Sequence, residues 1–122
     1  MNGAPTGGGA GDLLQALYDT LQQRKTADPA QSYVAGLYRK GADAVLKKIA
    51  EEAGETLLAA RDLAHGDTPG RRAALVHELA DLWFHTLVLL AAYDLPLSEL
   101  TDELARRRGR SGLDEKASRP GQ

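Results

Sequence analysis

Cysteine is absent from the 122-residue sequence. That absence excludes disulfides, thiolate zinc sites, iron–sulfur clusters and cysteine nucleophiles. A cationic excess is also missing: 15 Lys and Arg stand against 17 Asp and Glu, for a formal net charge of -2. Bulk nucleic-acid binding needs a basic face, so no nucleic-acid partner is expected. The longest apolar run, Leu87 to Tyr93, is far short of a membrane span, and no membrane partner is expected either. Met1 to Gly11 is glycine-rich with no positive charge and no apolar run. It fits neither a signal nor a transit peptide, which makes cytoplasmic the expected location. A chain of this length builds one domain with a modest core, and oligomerisation would help it.

What is present reads as helix. Residues 1–11 are expected to be a disordered tail, 12–108 one all-α domain, and 109–122 a polar C-terminal tail. Asp12, with Gln15 at the capping-box position, starts a helix carrying Leu13, Leu14, Leu17, Tyr18 and Leu21 that ends near Arg24. A short segment from Ser32 to Tyr38 is closed by Gly41. From Ala42 to His65 the apolar residues recur at helical spacing, with no strand alternation competing. Thr68 and Pro69 then cap and open the next helix, which runs to about Tyr93. It offers Leu75, Leu79, Leu82, Trp83, Val88, Leu89 and Leu90 to a core, with Trp83 and Phe84 expected as core aromatics. Pro96 and Ser98 start a last helix to about Arg108. No segment reads as a strand and no internal repeat is visible. The two longest helices flank a short loop, so they should form an antiparallel hairpin within a helical bundle.

The hairpin organises the acids. Glu52 and Glu55 lie 14 and 11 residues before Gly66, while Glu78 and Asp81 lie 8 and 11 residues after Gly70. At about 1.5 Å per residue, both pairs sit roughly 12–21 Å from the turn. Members of each pair are three apart and share a helix face. Four carboxylates can therefore converge, beside the core-like positions Ile49, Ala53, Leu57, Leu79 and Leu82. Like charges so placed need a counter-ion, and an all-oxygen set suits Mg²⁺, with Mn²⁺ as the alternative. Gly54, inside the helix, suggests close approach by another helix or a ligand. Either acid pair alone is explained by a solvated face, with Lys48 serving Glu51 or Glu52. Two pairs at matched height favour the metal. A di-iron bundle is disfavoured, because neither pair has the Glu-x-x-His spacing.

Glu51-Glu52-Ala53-Gly54-Glu55, followed after 22 residues by Glu78-Leu79-Ala80-Asp81, resembles the acidic signature of the all-α nucleoside triphosphate pyrophosphohydrolases (MazG-like). Ser32-Tyr33, Gly41, Lys47-Lys48, Asp81-Leu82 with His85, and the ending Ser111-Gly112-Leu113-Asp114-Glu115-Lys116-Ala117-Ser118-Arg119 narrow the resemblance to the phosphoribosyl-ATP pyrophosphohydrolases. It spans nearly all of Leu13 to Arg119; Val34 departs from it, where the family often has threonine. The resemblance implies Mg²⁺-dependent hydrolysis of phosphoribosyl-ATP to phosphoribosyl-AMP and pyrophosphate in histidine biosynthesis, by a homodimer. It implies Glu52, Glu55, Glu78 and Asp81 as metal ligands and Glu51 as a supporting acid that orders the attacking water, with Glu51, Glu52 and Glu55 as the catalytic set. In many organisms such an enzyme is fused to a cyclohydrolase; 122 residues leave no room for that partner and no cysteine for its zinc site, so the stand-alone form is expected.

Phosphates need cations as well as metal. Lys47 and Lys48 precede the acids by one turn, and Arg108, Ser111, Lys116 and Arg119 belong to a second polar and basic group. On composition alone that second group is a solvated tail or the favoured positive end of a helix. The resemblance assigns it to substrate. His85 either touches a ligand or is packed and hydrogen-bonded, His77 is expected to be exposed, and Tyr33 and Tyr38 shape either a base or ribose pocket or the core. Two other functions stay open. A housekeeping nucleoside triphosphate pyrophosphohydrolase would share the acids without needing the C-terminal motif. A helical interaction module would carry them merely solvated.

Overall fold

A computed structural model describes residues 8–109. Those residues form five α-helices and one 3₁₀ turn, and no strand occurs among them. The helices are α1 (Ala10–Gln23), α2 (Tyr33–Lys40), α3 (Ala42–Ala64), α4 (Pro69–Ala92) and α5 (Leu97–Arg107), with the 3₁₀ turn Arg24–Thr26 after α1. Capping chemistry sets several boundaries. Ser32 Oγ accepts the Ala35 N–H at 3.1 Å to start α2, and Thr68 Oγ1 accepts the Arg71 N–H at 3.1 Å to start α4, with Pro69 behind it. Gly41, at φ 98°, separates α2 from α3 in a conformation that a side chain would strain.

The start of α1 differs from expectation. Gly9 occupies the cap position, and Asp12 sits in the first turn, where its charge favours the helix dipole. Gln15 bonds forward to Asp19 rather than back to a cap.

The core gathers at one end of the α3–α4 pair. Tyr18 and Leu21 of α1, Val34 and Leu37 of α2, Val45 of α3, Leu87, Val88 and Ala91 of α4, and Leu97 of α5 are buried together. Buried hydroxyls need partners, and here they tie helices. Tyr38 donates to the Leu21 carbonyl at 2.9 Å and Tyr18 to the Leu95 carbonyl at 2.5 Å. The Lys25–Asp94 ion pair, at 2.6 Å, closes the same end.

The other end, toward the 65–68 turn, is bare. Leu57 is 72% exposed and Trp83 59% exposed, while Leu58, Val76 and Leu79 are also exposed. Leu57 and Leu79 are therefore not core residues, nor is Trp83, because α1, α2 and α5 cover mainly the opposite end. Phe84 does pack against the core. A groove of about 560 Å³ runs between α1 and α4, walled by Leu14, Leu17, Val76, Leu79, Trp83 and Phe84. By length and composition alone α4 is long and apolar enough to cross a membrane, although Glu78 and Asp81 stand midway along it. Gly54 has nothing within 4 Å of where a Cβ would project. The close approach expected there is not made among the described residues.

Candidate metal and phosphate site

The acids lie midway along α3 and α4, between the packed end and the bare one. Glu52, Glu55 and Glu78 bring one carboxylate oxygen each to within 4.8 Å of one another. Asp81 falls in a second group with His77 and Glu78, and its Oδ2 lies 3.3 Å from His77 Nε2 on the exposed face of α4. Three of the four predicted carboxylates thus converge directly, and Asp81 touches that set through Glu78.

Glu52 is the buried member, at 5% exposure. Its Oε1 lies 3.8 Å from Lys48 Nζ and 3.9 Å from His85 Nδ1. Its Oε2 is buried and has no hydrogen-bond partner among the described residues. A buried carboxylate oxygen without a partner is costly. Burial, then the nearby Glu55 carboxylate, push Glu78 above the ordinary carboxylate pKa, against the opposing pull of His77. An oxygen-only donor set with an orphaned buried oxygen and crowded negative charge fits a hard divalent cation.

Cations flank the acids. Lys48 Nζ lies 3.3 Å from Glu51 Oε1, and that hydrogen bond, followed by Tyr33, raises the Lys48 pKa. The pairing expected of Lys48 on a solvated face is therefore made, beside the converging carboxylates. Lys47 points to solvent. On the turn side, Arg71 lines a cleft of about 300 Å³ with Glu55, Asp62 and Glu78. Its Nη1 donates to the Gly66 carbonyl at 2.9 Å, which holds the guanidinium across the turn. Sequence reasoning missed Arg71. The visible signal was an arginine one turn behind the Thr68 cap, but only the folded turn brings it into the same cleft as Glu55 and Glu78.

Arg108 ends α5 and is exposed, with no described contact to the acids. Ser111, Lys116 and Arg119 lie outside the described residues. His85 resolves as a packed histidine at 5% exposure, with both ring nitrogens in hydrogen bonds. His77 is exposed, as expected. Tyr33 is exposed, whereas Tyr38 packs against the core.

The described residues make an all-helical protein whose two longest helices share a carboxylate cluster suited to a divalent cation. A profile of the phosphoribosyl-ATP pyrophosphohydrolase family matches residues 14–108. A phosphoribosyl-ATP pyrophosphatase of Ralstonia nicotianae is 53% identical over 115 residues, covering 91% of this chain and 93% of that one. Its counterpart in Neisseria meningitidis serogroup C is 52% identical over 107 residues, covering 88% and 94%. That of Chromobacterium violaceum is 53% identical over 108 residues, with the same two coverages of 88% and 94%. The chain belongs to the phosphoribosyl-ATP pyrophosphohydrolase family, and it is an enzyme.

Proposed function

We propose that the chain hydrolyses phosphoribosyl-ATP between its α and β phosphates, consuming one water and releasing phosphoribosyl-AMP and pyrophosphate, the second step of histidine biosynthesis. The observation that carries this reading is the convergence of Glu52, Glu55 and Glu78 around a buried, unpartnered carboxylate oxygen, in a chain of this family. Mg²⁺ is the proposed ion, with Mn²⁺ able to replace it. Glu52, Glu55 and Glu78 hold it, and Asp81 joins them by turning from His77.

Bound there, the ion would neutralise phosphate charge and acidify a coordinated water. The remaining work falls to side chains. Glu51, exposed beside Lys48, orders the attacking water and accepts its proton. Glu52 and Glu55 fix the reacting geometry from one helix. Lys48 meets the phosphates on the packed side of the acids and Arg71 on the turn side, where a guanidinium can bind two oxygens at once. Lys47, Arg108, Ser111, Lys116 and Arg119 are proposed as further phosphate contacts.

A homodimer accounts for the bare end of the hairpin. Val76, Leu79 and Trp83 are exposed along one apolar groove, Leu57 and Leu58 are exposed on α3, and a partner that covered them would take apolar area out of water. A second copy covers that surface without taking Glu78 and Asp81 out of a polar setting, as lipid would. A cytoplasmic location agrees with this arrangement.

The test is pyrophosphate release from phosphoribosyl-ATP with and without Mg²⁺, beside ATP and dUTP. Mg²⁺-dependent release from phosphoribosyl-ATP, far above both controls, is expected. Preferential release from ATP or dUTP would instead make the chain a housekeeping pyrophosphohydrolase.

A further inference from the structure

We infer that Tyr33 is a specificity-determining residue whose hydroxyl, held as a hydrogen-bond acceptor by His85, accepts from a ribose hydroxyl of the nucleotide. The inference rests on the phosphoribosyl-ATP reading above and deepens it.

His85 is bonded through both ring nitrogens. Its Nδ1 lies 2.9 Å from the Asp81 backbone carbonyl, and its Nε2 lies 2.8 Å from the Tyr33 hydroxyl. A carbonyl oxygen only accepts, so Nδ1 carries the proton. In the neutral ring Nε2 is then an acceptor, and the Tyr33 hydroxyl must be the donor. Packing holds the imidazole in that role. Phe84 stands edge-on to it with centroids 5.3 Å apart and an interplanar angle of 83°, and Tyr33 does the same at 5.8 Å and 89°.

The consequence concerns the phenolic oxygen. Having given its one proton to His85, it keeps lone pairs but has nothing left to donate. Such an oxygen is a poor partner for a phosphate, which also only accepts, and a good one for a hydroxyl. Tyr33 is placed to meet one. It is the first residue of α2, directly after the Ser32 cap, and more than half of it is exposed. One imidazole ring and two contacts separate its hydroxyl from Glu52 Oε1. If the acids act at the α phosphate, the sugar esterified to that phosphate is the nearest part of the substrate bearing hydrogen-bond donors. His85 is in this account a positioning residue, acting only through Tyr33.

The experiment compares phosphoribosyl-ATP with its 2′-deoxy and 3′-deoxy forms, altered on the adenosine ribose, in wild type, Tyr33→Phe, His85→Leu and His85→Gln. Wild type should prefer the ribo substrate over at least one deoxy form by about tenfold in kcat/KM, the worth of one good hydrogen bond. Tyr33→Phe should bring that ratio close to one with the helical circular dichroism of wild type, its melting temperature lowered only by the partner that the buried His85 Nε2 loses. His85→Leu should lose the ratio as well, and His85→Gln, which can still present an acceptor, should restore part of it. A wild type blind to both deoxy changes, or a Tyr33→Phe variant that keeps the wild-type ratio, would overturn the inference.

The tautomer is read separately, from nitrogen NMR of the metal-free protein. An Nδ1–H imidazole is expected, and an Nε2–H imidazole overturns the inference without any turnover assay. Failure of the phosphoribosyl-ATP reading would appear instead as no hydrolysis of the ribo substrate by wild type, so the two failures are distinguishable.

Discussion

Glu52 on α3 and His85 on α4 meet across the helix pair with 3.9 Å between Oε1 and Nδ1, and both are 5% exposed. The contact joins the acid cluster to the packed core. It leaves Glu52 Oε2 directed at no partner among the described residues. Glu52→Gln keeps the shape and removes a buried charge, so the metal-free fold should be no less stable than wild type. Turnover should fall by about a hundredfold or more if the carboxylate stabilises the transition state. Mg²⁺ should raise the melting temperature of wild type but not of the variant. Kinetics and thermal melts with and without the ion check both halves, and a fully active variant would remove Glu52 from the site.

Glu78 gives the pH dependence. Burial and the Glu55 carboxylate raise its pKa in the folded, metal-free protein. A raised carboxyl binds its proton more tightly folded than unfolded. The stability this contributes is fully present below the ordinary carboxylate value and is lost as pH rises through the folded one. Metal-free wild type should therefore lose stability across that window, and Glu78→Gln should flatten the loss. At neutral pH the variant should melt a few degrees higher than wild type in chelator, yet gain nothing from Mg²⁺. Melts from pH 4 to pH 8 decide it, and an unchanged slope would mean that Glu78 is not crowded by its neighbours.

Arg71 is the cation that only the folded turn reveals. Arg71→Ala should raise KM for phosphoribosyl-ATP by about tenfold, the scale of one charge-assisted contact. Its far-UV circular dichroism should stay that of wild type, because the side chain is not part of the core. Steady-state kinetics reads the effect, and an unchanged KM would confine Arg71 to bracing the turn through the Gly66 carbonyl.

Trp83 is the single tryptophan and reports on the bare face. If a second copy covers that face, its fluorescence should be blue-shifted in the dimer and move to the red on dilution. Trp83→Lys should give monomers by sedimentation, since a charge set in an apolar interface is strongly penalised. A variant that sediments as wild type would move the interface elsewhere.

Much of this was legible in the sequence because the signals are local. Ser32, Gly41, Thr68 and Pro69 mark helix boundaries through cap and backbone chemistry acting within four residues. The meeting of Glu52 and Glu55 with Glu78 follows from counting residues on either side of one turn. What was not legible depends on distant groups. The Asp81 side chain lies toward His77, which spacing alone does not decide. Tyr33 and His85 are 52 positions apart and meet only because α2 folds over the α3–α4 pair. Leu57 and Trp83 have the spacing of core residues, but no other described element covers them, and periodicity marks an apolar face without saying what will pack on it.

The most direct test of the central claim is a titration of Mn²⁺, standing in for Mg²⁺, into the substrate-free protein, with free ion read by electron paramagnetic resonance. The account predicts saturable binding by wild type that is lost in Glu55→Gln, with helicity unchanged. Equal binding by the two proteins would contradict it, because the carboxylates of α3 and α4 would then converge without holding a metal.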